Sequence, residues 1–246
     1  MKLLILAAGM GTRLKPLTDD KPKVLTELNG KTLLQRQLDT AHEAGVHDVV
    51  LIGGYLADQL RGFGAELVIN EDYATTNMVQ SLFCARSHFG NDFIMSYGDI
   101  VYGRAVLDNL LESQEQVAVV VDSRWRFYWE QRFEDPLSDA ESLQMDEQNR
   151  ISSIGQKVRD ISEIEAQYIG LVRFQRNGVR QLCRSYDSAC EEKTGVDDMY
   201  MTDLLQAMAS EPVGLAPVLI DGNWLEIDSV SDLELAERLL RQGRLH

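Results

Sequence analysis

The sequence runs from an apolar segment directly into a glycine-rich turn, KLLILAAGMGTRL (residues 2–14). A short apolar run that stops at glycines is typical of a buried parallel strand. Backbone N–H groups in a turn that leaves such a strand can point at phosphate oxygens. Two cationic side chains, Arg13 and Lys23, follow the turn. The guanidinium of an arginine can bind two phosphate oxygens at once, and the ammonium of a lysine is a compact charge. The stretch therefore predicts a phosphate-binding loop after the first strand.

Two common phosphate-binding motifs do not fit this turn. The dinucleotide-binding fingerprint needs a third glycine at the position of Leu14. The phosphate loop of common ATPases needs Gly-Lys followed by Ser or Thr, whereas Lys15 lies between Leu14 and Pro16. For Gly9 or Gly11 alone, a plain turn with solvated charges is the simpler interpretation. The whole string favours a different kind of phosphate site.

Strands and helices alternate along the first half of the chain. The patterns predict strands at residues 2–6, 48–52, 66–69, 92–97 and 117–121, and helices at residues 32–44, 56–63, 77–87 and 106–113. Such an alternation with short joints is typical of a sheet that carries helices on both faces. We therefore predict an α/β fold with a doubly wound, mostly parallel, Rossmann-like sheet.

The pattern changes after Asp122. Residues 123–141 are aromatic and charged and show no clear periodicity. Further strands are predicted at residues 142–145, 150–154, 168–174, 214–220 and 224–228, and helices at residues 178–188, 200–208 and 231–241. We predict a single domain spanning residues 1–246, with a substrate-binding insertion at residues 123–170.

The overall charge limits the partners. Among 246 residues, 39 acidic and 24 basic side chains give a formal charge of −15. Such a negative field repels nucleic acids and anionic membranes, so we expect neither as a partner. It also repels free triphosphates. A phosphate site must therefore be a local patch of basic groups and backbone amides, helped by divalent cations.

Other features indicate a cytoplasmic protein. Three cysteines without paired or metal-ligand spacing suit a reducing compartment. The histidines His42, His47, His88 and His246 show no metal spacing and are assigned no function. The apolar run at residues 2–6 is too short to cross a bilayer and lacks a cleavage-like spacer, so it is interpreted as a strand. The sequence does not indicate an oligomeric state.

Acidic residues end two of the predicted strands. Asp99 follows the fourth strand, at the end where open α/β sheets bind ligands. Glu226 and Asp228 lie two residues apart in an extended segment, so both carboxylates project from one face. Mg²⁺ prefers hard oxygen ligands such as these. The alternatives are a simple turn role for Asp99 and capping of the last helix by Asp228.

Two polar residues share one face of a predicted helix. Asn77 and Ser81 lie one turn apart. An amide and a hydroxyl on one face can both donate and accept hydrogen bonds, as recognition of a nucleobase requires. The alternative is that Thr76 or Asn77 caps the helix. Both interpretations stay open.

The insertion is rich in groups that suit a cationic substrate. Aromatic faces together with carboxylates form a cage for a substrate ammonium through cation–π attraction and charge pairing. Lys157 can bind the substrate's phosphorus group. The alternative is that Trp125 and Trp129, which lie at helical spacing, pack the insertion onto the body of the protein. The candidate residues of this pocket are Asp122, Trp125, Tyr128, Trp129, Arg132, Asp135, Asp139, Glu141, Lys157 and Tyr168.

The segment from Leu6 to Leu14, with Pro16, Thr18 and Lys23 behind it, resembles the signature of the sugar-nucleotide pyrophosphorylase-like nucleotidyltransferases. The resemblance extends over nearly the whole chain. Further stretches resemble the bacterial phosphocholine and 2-aminoethylphosphonate cytidylyltransferases. These stretches are residues 70–73, 76–77, 81–82, 97–100, 136–140, 167–170 and 224–228.

The resemblance implies a Mg²⁺-dependent cytidylyltransferase. Such an enzyme transfers CMP from CTP to a small phosphorylated or phosphonylated acceptor and releases pyrophosphate. The acceptor would be phosphocholine, 2-aminoethylphosphonate or a phosphorylated amino acid. Its anionic oxygen attacks the α-phosphorus in line, so the protein mainly supplies positioning and charge neutralisation. The alternatives are a sugar-1-phosphate nucleotidylyltransferase and a nucleotide-sensing subunit without catalysis.

The resemblance also implies roles for individual residues. Lys23 would hold the α-phosphate and the acceptor oxygen, and Arg13 the departing pyrophosphate. Asp99 and Asp228 would hold Mg²⁺. The nucleotide-binding residues would be Leu6, Ala7, Ala8, Gly9, Gly11, Thr12, Arg13, Lys23, Asn77, Ser81, Gly98 and Asp99. The chemistry of the side chains, rather than the resemblance, predicts the acceptor-binding residues Asp122, Trp125, Trp129, Lys157, Tyr168 and Glu226, the last of which either binds a second metal ion or supports the first.

Overall fold

The computed structural model describes residues 1–192 and 195–243. Its helices and strands, in chain order, are β1 (Lys2–Ala7), β2 (Glu27–Leu28), β3 (Lys31–Thr32), α1 (Leu33–Glu43), β4 (Asp48–Gly53), β5 (Glu66–Ile69), α2 (Met78–Cys84), β6 (Asp92–Tyr97), β7 (Ile100–Tyr102), α3 (Arg104–Glu112), β8 (Val117–Asp122), α4 (Trp125–Arg132), β9 (Glu141–Met145), β10 (Ile151–Lys157), β11 (Gln167–Gln175), α5 (Asn177–Glu192), α6 (Met201–Ala209), β12 (Ala216–Ile220), β13 (Trp224–Glu226) and α7 (Val230–Arg241).

Seven strands form the main sheet, in the order β12-β8-β11-β6-β1-β4-β5. Strand β11 runs antiparallel to both of its neighbours, and the other pairings are parallel. The prediction of a mostly parallel, doubly wound α/β sheet is confirmed. Gln167 at the start of β11 pairs with Asp122 at the end of β8. The chain therefore leaves the sheet and returns to it at the same edge.

The two faces of the sheet are covered by two hydrophobic cores. Side chains alternate along a strand, so Leu3 and Ile5 of β1 enter one core and Leu4 enters the other. Helices α1, α3, α4 and α7 pack on the first face, and α2, α5 and α6 on the second. Their buried positions recur every three to four residues, as in α1, where Leu34 and Leu38 face the sheet.

Some elements differ from the predictions. Residues 125–132, which show no clear periodicity, form helix α4. The predicted helix at residues 56–63 is only a short 3-10 helix, Ala57–Leu60. Residues 224–226 do form a strand, but β13 pairs with the three-residue strand β7 outside the main sheet. Pairings between strands this short depend on distant partners, which local patterns do not reveal.

The predicted insertion at residues 123–170 is divided between the two cores. Helix α4 packs on the face of α7, whereas β9 and β10 form an antiparallel pair that contacts α6. Within the described part of the chain, the helices lack the combination of length and apolar character needed to cross a membrane.

Candidate active site

A cleft of about 270 Å³ opens at the carboxyl edge of the main sheet, next to the ends of β1 and β6. The structure places all of the predicted nucleotide-binding residues in its lining, together with Asp228. Parallel strands that end side by side bring their following loops to one place, which explains the convergence. Five further residues line the cleft that were not among the predicted nucleotide-binding residues: Val24, Tyr73, Thr76, Met78 and Tyr97.

The glycine-rich turn is packed directly against Lys23. Gly11 adopts a left-handed conformation with φ of 60°. A Cβ atom at Gly11 would lie 2.9 Å from Cβ of Lys23, so a larger residue would push the lysine away. The hydroxyl of Thr18 donates to the Gly11 carbonyl oxygen at 2.8 Å and closes the loop. The loop and the lysine therefore form one packed unit.

Lys23 bridges the two predicted metal-binding aspartates. Its Nζ lies 2.7 Å from Oδ2 of Asp99 and 2.6 Å from Oδ1 of Asp228. Arg13 forms an ion pair with the second carboxylate oxygen of Asp228. Burial lowers the pKa of Lys23, but the attraction of the two carboxylates outweighs it and raises the pKa above its ordinary value. The ammonium group therefore stays charged at neutral pH.

Gln37, which lies in α1, holds the turn that carries Asp99 through hydrogen bonds to the main chain. The Gln37 amide nitrogen donates to the carbonyl oxygens of Tyr97 at 2.9 Å and Ile100 at 2.7 Å. Its amide oxygen accepts a hydrogen bond from Ser96. Gln37 is buried. The sequence analysis missed this residue, although a lone glutamine on the apolar face of a helix was a usable signal.

The two aspartates have the chemistry of a Mg²⁺ site. They converge on one ammonium group, so their oxygens lie within a few ångströms of a shared point. Oδ1 of Asp99 is buried without a hydrogen-bond partner among the described residues. The same residues contain no group of three or more metal-ligating side chains. Mg²⁺ commonly uses one or two carboxylates plus phosphate oxygens and water, and the pair fits that pattern.

Asn77 and Ser81 line the cleft but already have partners in the protein. The Asn77 side chain caps α2 by accepting from the Met78 amide at 2.8 Å, and its amide nitrogen donates to the Asp198 carbonyl oxygen at 3.2 Å. The Ser81 hydroxyl accepts from Asn70 at 3.0 Å. Capping by Asn77 is therefore confirmed. The recognition of a base by these two residues stays a prediction.

Four residues predicted for the acceptor pocket, Asp122, Trp125, Tyr128 and Trp129, are buried in the protein core. Trp125 and Trp129 are each only 4% exposed and pack edge-to-face against each other. The carboxylate of Asp122 accepts from the indole nitrogen of Trp224 at 2.8 Å and from backbone amides. For Trp125 and Trp129, the burial favours the alternative interpretation, in which they pack the insertion onto the body of the protein, over an ammonium cage. Residues three and four apart share one face of a helix, and α4 turns that face into the core, where Tyr128 and Trp129 contact Trp224 of β13.

The other predicted acceptor residues lie around Glu141, which pairs with Lys157 in the register of β9 and β10 and interacts electrostatically with Tyr168 and Glu226. Lys157 is exposed at the end of β10. The ring of Tyr168 packs edge-on against Tyr97, with 5.7 Å between the ring centroids, so it stands directly behind the cleft. Glu226 forms an ion pair with Arg132. Their binding roles stay predictions. His246 lies outside the described residues.

Comparison with known proteins agrees with this geometry. Residues 3–218 match the model of the MobA-like NTP transferase domain. The CTP:phosphoglutamine cytidylyltransferase of Campylobacter jejuni is 38% identical over 250 aligned positions, which cover 96% of this chain and 98% of that protein. The 2-aminoethylphosphonate cytidylyltransferase of Lancefieldella rimae is 27% identical, with 94% and 89% covered.

Solved structures show the same fold. The CTP:phosphocholine cytidylyltransferase of Streptococcus pneumoniae superposes with a TM-score of 0.77 at 24% identity, covering 97% of this chain and 98% of that one. The inositol-1-phosphate CTP transferase of T. maritima gives a TM-score of 0.72 at 21% identity, with 100% and 98% covered. The resemblance read from the motifs is confirmed, and the chain belongs to the MobA-like NTP transferase family.

Proposed function

We propose that this protein is a cytidylyltransferase that transfers CMP from CTP to a small phosphorylated or phosphonylated acceptor. The observation that carries the proposal is the meeting of Lys23, Asp99 and Asp228 beside a glycine-rich loop in one cleft. The full-length similarity to a CTP:phosphoglutamine cytidylyltransferase supports both the nucleotide and the acceptor class. Phosphoglutamine, phosphocholine and 2-aminoethylphosphonate are the acceptors to test first.

The reaction needs positioning more than acid–base chemistry. An anionic oxygen of the acceptor attacks the α-phosphorus of CTP, a new P–O bond forms, and the bond to the β-phosphate bridging oxygen breaks as pyrophosphate leaves. Backbone amides of the glycine-rich loop bind the triphosphate. Lys23 stabilises charge that builds up at the α-phosphate, and Arg13 holds the leaving pyrophosphate.

Mg²⁺ is part of the proposal. Asp99 and Asp228 would hold the ion, which when bound neutralises phosphate charge and orients the triphosphate. Lys23 gives up its carboxylate partners when it turns toward the α-phosphate. Lys23 would thus exchange its partners Asp99 and Asp228 for the α-phosphate, and the two aspartates would exchange Lys23 for the metal ion, all within one cleft.

The test is pyrophosphate release with each of the four NTPs and Mg²⁺, against a panel of acceptors. The panel contains phosphoglutamine, phosphocholine, 2-aminoethylphosphonate, phosphorylated amino acids and sugar 1-phosphates. We expect turnover with CTP and one of the nitrogen-containing acceptors. Turnover with sugar phosphates alone would assign the acceptor to another class, and no turnover with any pair would favour a nucleotide-sensing subunit.

A further inference from the structure

We propose that Arg132 is a positioning residue that fixes the loop carrying Asp228. The proposal rests on the proposed function, because it concerns a carboxylate assigned there to the metal ion. Arg132 ends helix α4, in a segment for which the sequence predicts either contacts with the acceptor or packing onto the body of the protein. The structure gives this residue a different set of partners.

Arg132 is a buried cation with two carboxylate partners. Its side chain is only 2% exposed. Nε lies 2.9 Å from Oδ1 of Asp232, Nη2 lies 3.3 Å from Oδ2 of the same residue, and Nη1 pairs with Glu226. The guanidinium also lies over the rings of Tyr128 and Trp129, 5.4 Å from each centroid. Every side of the group is thus occupied, which fixes its position.

The two carboxylates lie on either side of Asp228 in the chain. Oδ2 of Asp232 accepts from the amide of Asp228 at 3.2 Å and from the amide of Ser229 at 2.9 Å. Glu226 is the last residue of β13, two residues before Asp228. Through these two carboxylates, Arg132 holds both ends of the loop between β13 and α7. The middle residue of this loop is Asp228, which lines the cleft.

The charge of Arg132 matters as well as its packing. Buried ion pairs contribute little net stability compared with apolar residues of similar volume, so stability alone is a weak reason for a buried arginine here. Glu226 is close enough to interact electrostatically with Lys23, Asp99 and Asp228. Without Arg132, the Glu226 side chain would lose its ion-pair partner, and the loop that carries Asp228 would lose its anchor at the end of β13. The arginine thus holds the loop through its ion pairs as well as through its packing.

The experiment compares Arg132→Met, which keeps the volume and removes the charge, with the wild-type protein. Arg126→Met is the matched control, because Arg126 lies on the same helix and forms an exposed ion pair with Glu130. Mn²⁺ binding is measured by electron paramagnetic resonance in the presence of CTP without acceptor, alongside chemical unfolding, kcat and KM. Partners that orient metal ligands typically change metal affinity about 10- to 100-fold when they are removed.

We expect Arg132→Met to bind Mn²⁺ at least about tenfold more weakly and to lose kcat, while CTP binding without metal stays within about twofold. Arg126→Met should match the wild type. Reduced stability with unchanged Mn²⁺ affinity and kcat would overturn the proposal. If Arg132→Met does not fold, Asp232→Asn replaces it with the same expectations and the same overturning result. The measurement of Mn²⁺ affinity does not require turnover. A wild-type protein that releases no pyrophosphate would therefore count against the proposed function. The comparison of Mn²⁺ affinity between Arg132→Met and the wild type would still test the role of Arg132.

Discussion

The amide of Ile227 donates a hydrogen bond to the main-chain oxygen of Asp99 at 2.9 Å. This bond extends the antiparallel pair of β7 and β13, in which Glu226 lies opposite Ile100. Asp99 and Asp228 are therefore carried by one two-stranded unit, although they are far apart in the sequence. The distance between the two carboxylates depends on backbone pairing, and the residues that hold this unit become targets for mutation.

Lys23→Met should affect metal binding and turnover in opposite directions. In the free protein the ammonium occupies the space between two carboxylates. Its removal should make binding of Mn²⁺ without nucleotide roughly tenfold tighter, because a competing positive charge is gone. The same change should lower kcat by about 10²- to 10³-fold, as for other residues that stabilise transition-state charge. Isothermal titration and steady-state kinetics measure the two effects.

Lys15→Met is the matched control for Lys23→Met. Lys15 lies in the same loop, but it is exposed and pairs with Asp19. We expect wild-type metal affinity and kcat within about twofold, since exposed ion pairs contribute little. Weaker metal binding in Lys23→Met would contradict the idea that the lysine and the metal ion share these carboxylates.

Gln37→Leu should loosen the turn that carries Asp99. The substitution removes the buried donor of the Ile100 carbonyl oxygen and one of two donors of the Tyr97 carbonyl oxygen, which also accepts from the Ser96 hydroxyl. An unsatisfied buried group costs about 1–3 kcal/mol, so we expect the free energy of unfolding to fall by about that amount in urea. Turnover should fall as well. Gln35→Leu on the same helix should change stability by no more than about 0.5 kcal/mol, and equal losses in both variants would count against a special role for Gln37.

Gly98→Ala and Gly9→Ala together distinguish two effects of an added methyl group in the cleft: steric strain within the protein and interference with the bound nucleotide. A Cβ at Gly98 would lie 2.4 Å from the Leu6 carbonyl oxygen and 2.5 Å from Val24, whereas a Cβ at Gly9 has nothing within 4 Å. Gly98→Ala should lower the free energy of unfolding by about 1–3 kcal/mol and reduce kcat. Gly9→Ala should leave stability within about 0.5 kcal/mol and raise KM for CTP. Unfolding curves that coincide for the two variants would show that the close contact at Gly98 relaxes.

Trp129→Phe should lower the free energy of unfolding and leave acceptor binding unchanged. The indole nitrogen of this buried residue donates to Asp139 at 3.1 Å. Loss of that bond and of part of the ring should lower the free energy of unfolding by about 1–2 kcal/mol. KM for the acceptor should stay within about twofold. Lys157→Met, at an exposed position, is the informative contrast, because a binding role for Lys157 predicts a higher acceptor KM at unchanged stability.

The sequence predicts the central sheet and the nucleotide side of the cleft because their signals are local. An apolar run followed by glycines identifies the end of β1, and the bounds of β6 agree with the prediction residue for residue. The pairing of β7 with β13 was not predictable in this way, since three residues carry no usable periodicity. The reversal of β11 is equally invisible, because a buried strand has the same composition in either direction.

The aromatic residues of α4 show a second limit of sequence reasoning. Trp125 and Trp129 share one face of a helix whether that face meets a substrate or the core. The spacing is the same in both cases, so only the packing of α4 against the sheet decides between them. Arg132 and Gln37 show the related point that a buried polar residue reveals its role only when its partners are known.

The direction of β11 has a consequence for how this architecture can vary. A strand that returns antiparallel needs no crossover, so residues 123–166 begin and end at the carboxyl edge of the sheet, the edge at which the cleft opens. The entropy of closing a loop grows only slowly with its length, and longer or shorter segments are tolerated at such a point. The part of the fold that binds the nucleotide can thus stay constant while the segment between β8 and β11 changes in length and sequence. Such changes give the fold a simple route to new specificities.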